Sequence, residues 1–220
     1  VYATPIGNTL ITGVRNVLPN EYPQFLVPDQ PVPTKFDQFP GGPSPDGNII
    51  TFKANWTDSA GVGQTGVYFR DMVADGGNAL VVKVAERGMA IPTEAVPGGG
   101  SAVFGSTAPP SAAGGKMVFT GLDVEEAPTA GGIFMAPLTA SPTLTTVASF
   151  NTVVPKNGPN TLSAFGEGLS FDGRYVGFWG GWGTDMLLFG GERFTAFKTV
   201  FFVLSAASSV MVAVGFKARY

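Results

Sequence analysis

The sequence predicts an all-β protein made of antiparallel, β-propeller-like blades, with about three recognisable repeats. Gly or Pro interrupts almost every window of the 220 residues, so the apolar runs are short. These runs are rich in Val, Ile, Phe and Tyr, which favour strands. The clearest predicted strands are 48–53, 66–70, 79–84, 116–120 and 174–179. The remaining observation is that the same sequence motifs, each a turn followed by a strand, recur along the chain.

One recurring sequence motif is a turn that directly precedes a strand. The turn glycines are Gly47, Gly114 and Gly173. Asp-Gly and Gly-Gly supply the positive-φ positions that a tight hairpin needs. Aligning the three glycines brings one phenylalanine of each following strand into a column, which we expect to lie in the core. These residues are Phe52, Phe119 and Phe178.

Further sequence motifs recur after these strands along the chain. A second strand begins Gly-Val-Tyr-Phe or Gly-Ile-Phe-Met, and a third strand leads to an Ile-Pro or Val-Pro connection. A repeat of about 40–60 residues with three or four strands is typical of a propeller blade. We therefore expect an N-terminal part with a Pro-rich connector, followed by three repeats, the last of which includes the C-terminal apolar strands. The predicted boundaries are 1–42, 43–108, 109–165 and 166–220.

Over residues 28–190, these sequence motifs resemble the tandem NxxGxxxAF repeats of a family of extracellular proteins. More loosely, Ser-Pro-Asp-Gly and Ser-Phe-Asp-Gly-Arg-Tyr-Val are similar to the strand openings of TolB-type propellers. The resemblance implies propeller-like repeats and an extracellular or cell-surface location. It implies no catalytic residues.

The C-terminal stretch 199–215 carries no charge. One interpretation is a membrane anchor, because a transmembrane helix needs about 20 apolar residues. The other is a pair of buried strands, 197–204 and 210–216, which the content of Val, Phe and Thr favours. We predict the strands, and a membrane contact is expected only through this segment.

Composition excludes several classes of site. The chain has no Cys and no His, which removes disulfides, thiol nucleophiles, zinc–thiolate sites and Ser-His-Asp triads. A net charge of −3 argues against a nucleic-acid partner. The GxGxxG match at 61–66 precedes a strand, so we interpret it as a hairpin loop. We interpret the acidic group Asp123, Glu125 and Glu126 as a solvated loop, and we predict no metal site, no cofactor and no catalytic residue.

Two local motifs give candidate sites. Asn55-Trp56-Thr57 is an N-glycosylation sequon, which we place on a polar loop after the Phe52 strand, with Asn55 as the glycan acceptor. Trp179 and Trp182 lie in a Gly-rich aromatic run. Alternation points Phe178 inward and Trp179 outward, so we predict both tryptophans as a contact surface for a protein partner or a glycan.

The predicted function is therefore a non-enzymatic extracellular or cell-surface structural or interaction module. Low charge and aromatic strands favour assembly with identical or related protein subunits, with carbohydrate as another candidate ligand. One alternative is a propeller-type enzyme acting on glycans through paired carboxylates, for which Asp46, Glu167 and Asp172 are the candidates. The other is a membrane-anchored accessory subunit held by 199–215.

Overall fold

Strands dominate the computed structural model, which describes residues 2–3, 11–17, 21–154, 160–189, 192–205 and 211–214. They account for 45% of the structure, and all the sheets are antiparallel, which confirms the all-β prediction. Helical segments among the described residues are single 3₁₀ turns. These are Pro23–Phe25, Ala74–Gly77, Thr93–Ala95 and Pro97–Gly99.

Three sheets follow one another along the chain, after a short N-terminal pair. The N-terminal pair consists of β1 (Tyr2–Ala3) and β2 (Ile11–Thr12). The first sheet consists of β3 (Ser44–Asp46), β4 (Ile49–Thr57), β5 (Gly63–Asp71) and β6 (Val82–Glu86). The second consists of β7 (Ser106–Thr107), β8 (Ser111–Ala113), β9 (Lys116–Leu122), β10 (Gly131–Pro137) and β11 (Thr145–Ser149). The third consists of β12 (Ala164–Phe171), β13 (Tyr175–Phe189), β14 (Glu192–Ser205) and β15 (Met211–Val214).

Each sheet contains the same four-stranded meander, in which strands adjacent in sequence pair with one another. The meanders are β3 to β6, β8 to β11 and β12 to β15, and β7 adds a further short pairing to β9. The three predicted turn glycines have φ values of 58°, 62° and 90°, which confirms the recurring hairpin. The three column phenylalanines are at most 1% exposed, which confirms their place in the core.

The sheets pack face to face in a stack. Between the first and second sheets lies a core that includes Val67, Phe69 and Phe119. Between the second and third lies another, which includes Val118 and Phe178. The N-terminal segment, defined here as residues 11–17 and 21–39, packs on the other face of the first sheet. Val14, Phe25 and Phe36 of this segment form one core there with Phe52 of β4. Phe52 thus faces the N-terminal segment, Phe119 faces the first sheet and Phe178 faces the second sheet.

Several predictions are refined or corrected by this fold. No closed barrel or propeller is present in the described part of the chain. Strand β14 covers the predicted strand 197–204, and β15 covers part of 210–216, while 206–210 and 215–220 lie outside the described residues. In the described residues, no helix has the length and apolar content to cross a membrane. The sequon lies within β4 and not on a loop, because the strand continues five residues beyond Phe52.

Candidate functional site

The two predicted contact tryptophans occupy different environments. Trp182 is only 5% exposed and belongs to the core between the second and third sheets, so its prediction as a surface contact is wrong. The reason is strand parity, because Trp182 is four residues after Phe178 and therefore shares its inward face. Trp179 is half-buried on the opposite face. Its ring packs over Gly166, where an added Cβ would lie 3.3 Å from Trp179 Cε3.

A repeated serine contact joins neighbouring sheets next to the turns. Ser44 Oγ in the first sheet accepts a hydrogen bond from the backbone N–H of Ala112 in the second, at 3.0 Å. Ser111 Oγ in the second accepts one from the N–H of Phe171 in the third, also at 3.0 Å. Each serine is three residues before its own turn glycine, and each donor is two residues before the next one. We call this recurring bond the serine contact.

The two ends of the stack differ at the positions that would continue this series. In the third sheet the equivalent serine is Ser170, which is exposed and has no hydrogen bond to its hydroxyl among the described residues. In the first sheet the donor position is Pro45, which has no N–H to donate. The serine contact therefore has a direction, and the open acceptor lies on the third sheet, beside Tyr175 at 38% exposure and Trp179.

Two of the candidate catalytic carboxylates stabilise turns. Asp46 Oδ2 accepts a hydrogen bond from the Gly115 N–H at 2.6 Å, across the first two sheets. Asp172 Oδ1 accepts bonds from the N–H groups of Tyr175 at 2.6 Å and Arg174 at 2.8 Å. These bonds, that from Tyr175 first, lower the pKa of Asp172 below its usual value. Asp172 thus caps its own turn, as expected of aspartate at such a position, whereas Asp46 binds the turn of the neighbouring sheet.

The third candidate carboxylate, Glu167, lies apart from Asp172. Four residues of β12 lie between them, which is on the order of 15 Å along the strand. Glu167 instead lines a groove of about 220 Å³ between the second and third sheets, together with Glu125 and Thr120. The groove therefore brings Glu167 together with Glu125, a residue of the acidic loop that sequence reasoning did not connect with it, because the two are 42 residues apart.

The acidic loop is organised around its own hydrogen bonds. Burial alone would raise the pKa of Asp123, but bonds from the Thr129 hydroxyl and from backbone N–H groups outweigh it and lower the pKa. The Thr129 Oγ1 to Asp123 Oδ2 distance is 2.6 Å. Glu125 and Glu126 are exposed, which fits the interpretation of a solvated loop. No cluster of three or more acidic side chains suited to a metal occurs in the part of the chain that the structure describes.

A second, more polar groove of about 410 Å³ lies between the first two sheets and shares Ser106 and Glu125 with the smaller one. Lys53, Asn55 and Arg87 line it. Asn55 Oδ1 is buried there and has no hydrogen-bond partner among the described residues. A buried amide oxygen without a donor is costly unless water or a ligand supplies one. Glycosylation of Asn55 stays a prediction, now for a half-buried strand residue beside a groove.

A buried polar network, which the sequence did not point to, joins the N-terminal segment to the first sheet. Trp56 Nε1 donates to Tyr68 Oη at 3.0 Å, and Tyr68 Oη donates to Glu86 Oε1 at 2.7 Å. Glu86 and Asp29 both approach Lys83, at 3.6 and 3.0 Å. Burial first, and then the Glu86 charge, raise the pKa of Tyr68 far above its usual value, so its hydroxyl stays a donor.

Arg70 forms a second buried link between the same elements. Its side chain is 1% exposed, and its guanidinium stands 5.0 Å from the centre of the Phe25 ring. Within the described part of the chain its hydrogen bonds go to backbone carbonyls, which belong to Thr12, Gly13, Gly77 and Ala79. Burial lowers the pKa of Arg70. Because the guanidinium fork satisfies distant loops simultaneously, we assign Arg70 a structural role.

Comparison with known proteins adds no relative to this description. No protein-family model matches the chain, no curated protein matches its sequence, and no solved structure matches its fold. The resemblance to the NxxGxxxAF repeats therefore stays a prediction.

Proposed function

We propose that this chain is a non-enzymatic structural and interaction module of an extracellular or cell-surface assembly, working by association with copies of itself or a related subunit. Its three meanders are the blades of a propeller-like array. The location rests on the resemblance of the repeats to extracellular proteins. A membrane-impermeant label applied to intact source cells should therefore react with the protein.

The observation that carries this proposal is the repeated packing of sheet on sheet. The interface between the first and second sheets and the interface between the second and third each have an apolar core and a serine contact. By contrast, the carboxylates Asp46 and Asp172 are engaged in turns. A chain whose polar groups mainly hold sheets and turns together, and whose third sheet presents Tyr175 and Trp179, is suited to binding another protein surface.

The native mass of the particle tests the proposal. We expect size exclusion with light scattering, in detergent-free buffer, to give a mass of at least two chains. Trp179→Lys should shift the particle toward one chain, because a charge in an apolar interface costs binding energy. Val62→Lys is the matched control, since Val62 is exposed on the hairpin between β4 and β5. A single-chain mass at all concentrations would contradict self-assembly.

A second candidate function is supported by the pair Glu125 and Glu167, which line one groove. Two carboxylates flanking a cleft are the minimal machinery of glycoside hydrolysis. This alternative predicts turnover on a panel of polysaccharides. Glu167→Gln should abolish that turnover, while Glu126→Gln, in the same acidic loop but outside the groove lining, should leave it unchanged.

A further inference from the structure

The face of the first sheet that is turned toward the second sheet changes from apolar to polar along β4. Alternate residues of a strand share one face, and on this face they are Thr51, Lys53, Asn55 and Thr57. Thr51 is 0% exposed and pairs with Phe69, which belongs to the core between the two sheets. Lys53 and Asn55 are half-buried, and Thr57 is exposed. The two sheets thus pack closely at one end of β4 and leave the groove of about 410 Å³, which we call the polar groove, at the other.

The backbone of the strands beside the polar groove is already paired. The N–H and the carbonyl of Asn55 both bond to Gln38 of the N-terminal segment. On the neighbouring strand, the Thr65 carbonyl accepts a hydrogen bond from the Arg87 N–H at 2.9 Å. A peptide that adds to a sheet needs free backbone groups at an edge, which these positions do not offer. A ligand of the polar groove is therefore recognised by side chains.

Two cationic side chains line the polar groove without an ion pair. Among the described residues, no carboxylate is close enough to Lys53 or Arg87 to form one. The Arg87 guanidinium is held at the groove by a hydrogen bond from its Nη1 to the Gly63 carbonyl, at 2.8 Å. Its remaining N–H groups and the Lys53 ammonium are donors without a partner in that part of the chain. A ligand with a negative charge can accept hydrogen bonds from both side chains.

The carboxylates of the same region leave a positive balance in the polar groove. Asp37 lines it but forms an ion pair with Lys35, at 3.6 Å. Asp58 accepts hydrogen bonds from backbone N–H groups of its own hairpin and from the Gln64 amide. Glu125 also lines the groove and is exposed. Within the described residues, the lining charges without an ion pair are thus two cations and one carboxylate, in a chain whose net charge is −3.

Neutral side chains of the lining supply further hydrogen-bonding groups. Gln64 Nε2 donates to Asp58 Oδ2 at 2.8 Å, which leaves Gln64 Oε1 as an acceptor. Neither end of the Asn55 amide has a partner among the described residues, and its last torsion is broad, so either end can turn toward a ligand. Trp56, the aromatic residue of the lining, is 4% exposed and donates to Tyr68, so its ring face is not available for stacking. The polar groove therefore suits a ligand that carries hydroxyl groups as well as a negative charge.

We infer that the polar groove binds a uronate, which is a sugar that carries a carboxylate. Lys53 and Arg87 donate charge-assisted hydrogen bonds to the carboxylate. The sugar hydroxyls, which both donate and accept, bond to Asn55, Gln64 and Glu125. The groove volume of about 410 Å³ lies within the usual range for small-molecule sites. This site goes beyond the proposed functions, because it requires neither self-assembly nor turnover of the sugar.

Calorimetric titration with oligosaccharides of galacturonate, glucuronate and mannuronate tests this inference, on protein produced without N-glycans. At least one of them should bind saturably, with one site per chain. Lys53→Gln and Arg87→Gln should each raise its Kd about tenfold or more, because each removes a hydrogen bond between charged groups. Lys116→Gln and Arg174→Gln are matched controls that should leave the Kd unchanged, because Lys116 is half-buried like Lys53, Arg174 is exposed like Arg87, and neither lines the groove. Circular dichroism verifies that each variant keeps its strand content.

The charge of the ligand and the identity of the sugar are tested separately. The methyl-esterified form of the same oligosaccharide keeps the hydroxyls and loses the charge, so its Kd should be at least about tenfold higher. Equal binding of the ester, no binding of any of the uronates, or equal losses in Lys53→Gln and Lys116→Gln would overturn the inference. Inorganic phosphate that displaces the uronate at the same concentration would indicate a simple anion site and overturn the assignment to a sugar. Light scattering reports self-assembly independently, so the failure of this inference and a single-chain mass are distinguishable.

Discussion

Replacing Ser111 by alanine should destabilise the protein by breaking one serine contact. Ser111 Oγ is the acceptor for the Phe171 N–H at 3.0 Å, and Phe171 is only 7% exposed. Among the described strands, β12 pairs within its sheet only with β13, so its outer edge is where this N–H finds its partner. Alanine leaves this partly buried donor without its acceptor, which costs about 1–3 kcal/mol of the free energy of unfolding.

Urea unfolding followed by tryptophan fluorescence measures this cost. A loss of about 2 kcal/mol lowers the midpoint by about 0.7 M, for an m-value of about 3 kcal/mol per molar. Ser170→Ala is the matched control, because it removes the same hydroxyl from the same position of the repeat, where it has no partner in the described residues. We expect the control to change stability by less than about 0.5 kcal/mol.

The comparison can refute the reasoning in two ways. Equal losses for Ser111→Ala and Ser170→Ala would mean that the contact between sheets adds nothing to the intrinsic effect of the substitution. No loss for either would mean that the Phe171 N–H is solvated, and that apolar packing alone holds the second and third sheets together. An unchanged m-value is required for both comparisons, since a changed one would indicate a different unfolding transition.

Three further predictions concern other parts of the stack. Gly66→Ala should destabilise by roughly 1–3 kcal/mol in thermal unfolding, because its Cβ would lie 2.6 Å from Tyr68 Oη; an unchanged Tm would contradict this. The folded-state pKa of Asp172 lies below its unfolded value, so its stabilisation is present above the unfolded pKa and is lost as pH falls through the folded one. Asp172→Asn should flatten that acid limb in a pH series of unfolding curves, and a wild-type slope would reject the assignment. Trp182→Ala should cost about 3–5 kcal/mol in urea unfolding, against about 1 kcal/mol for the half-buried Trp179→Ala, and the reverse order would refute the assigned faces.

Local physics made much of the repeat predictable from sequence. A positive φ at Gly47, Gly114 and Gly173 is a property of the tight turn itself, so the glycines mark the hairpins without knowledge of the fold. Strand alternation likewise placed Phe178 inside. The same parity, extended four residues along β13, assigns Trp182 to the inside, where it is 5% exposed, and not to the predicted contact surface.

The contacts between sheets were decided by tertiary structure. Ser111 and Phe171 are 60 residues apart, and Glu125 and Glu167 are 42 apart, so no local pattern relates them. Arg70 is buried by the Phe25 ring and by loops that supply backbone carbonyls, which any sequence could provide. The sequence alone determined the β class, the turns and the inward column, because each depends on neighbouring residues. Only the stacking of the sheets determined which hydroxyl, carboxylate and aromatic face is covered and which stays open, because that depends on elements distant along the chain.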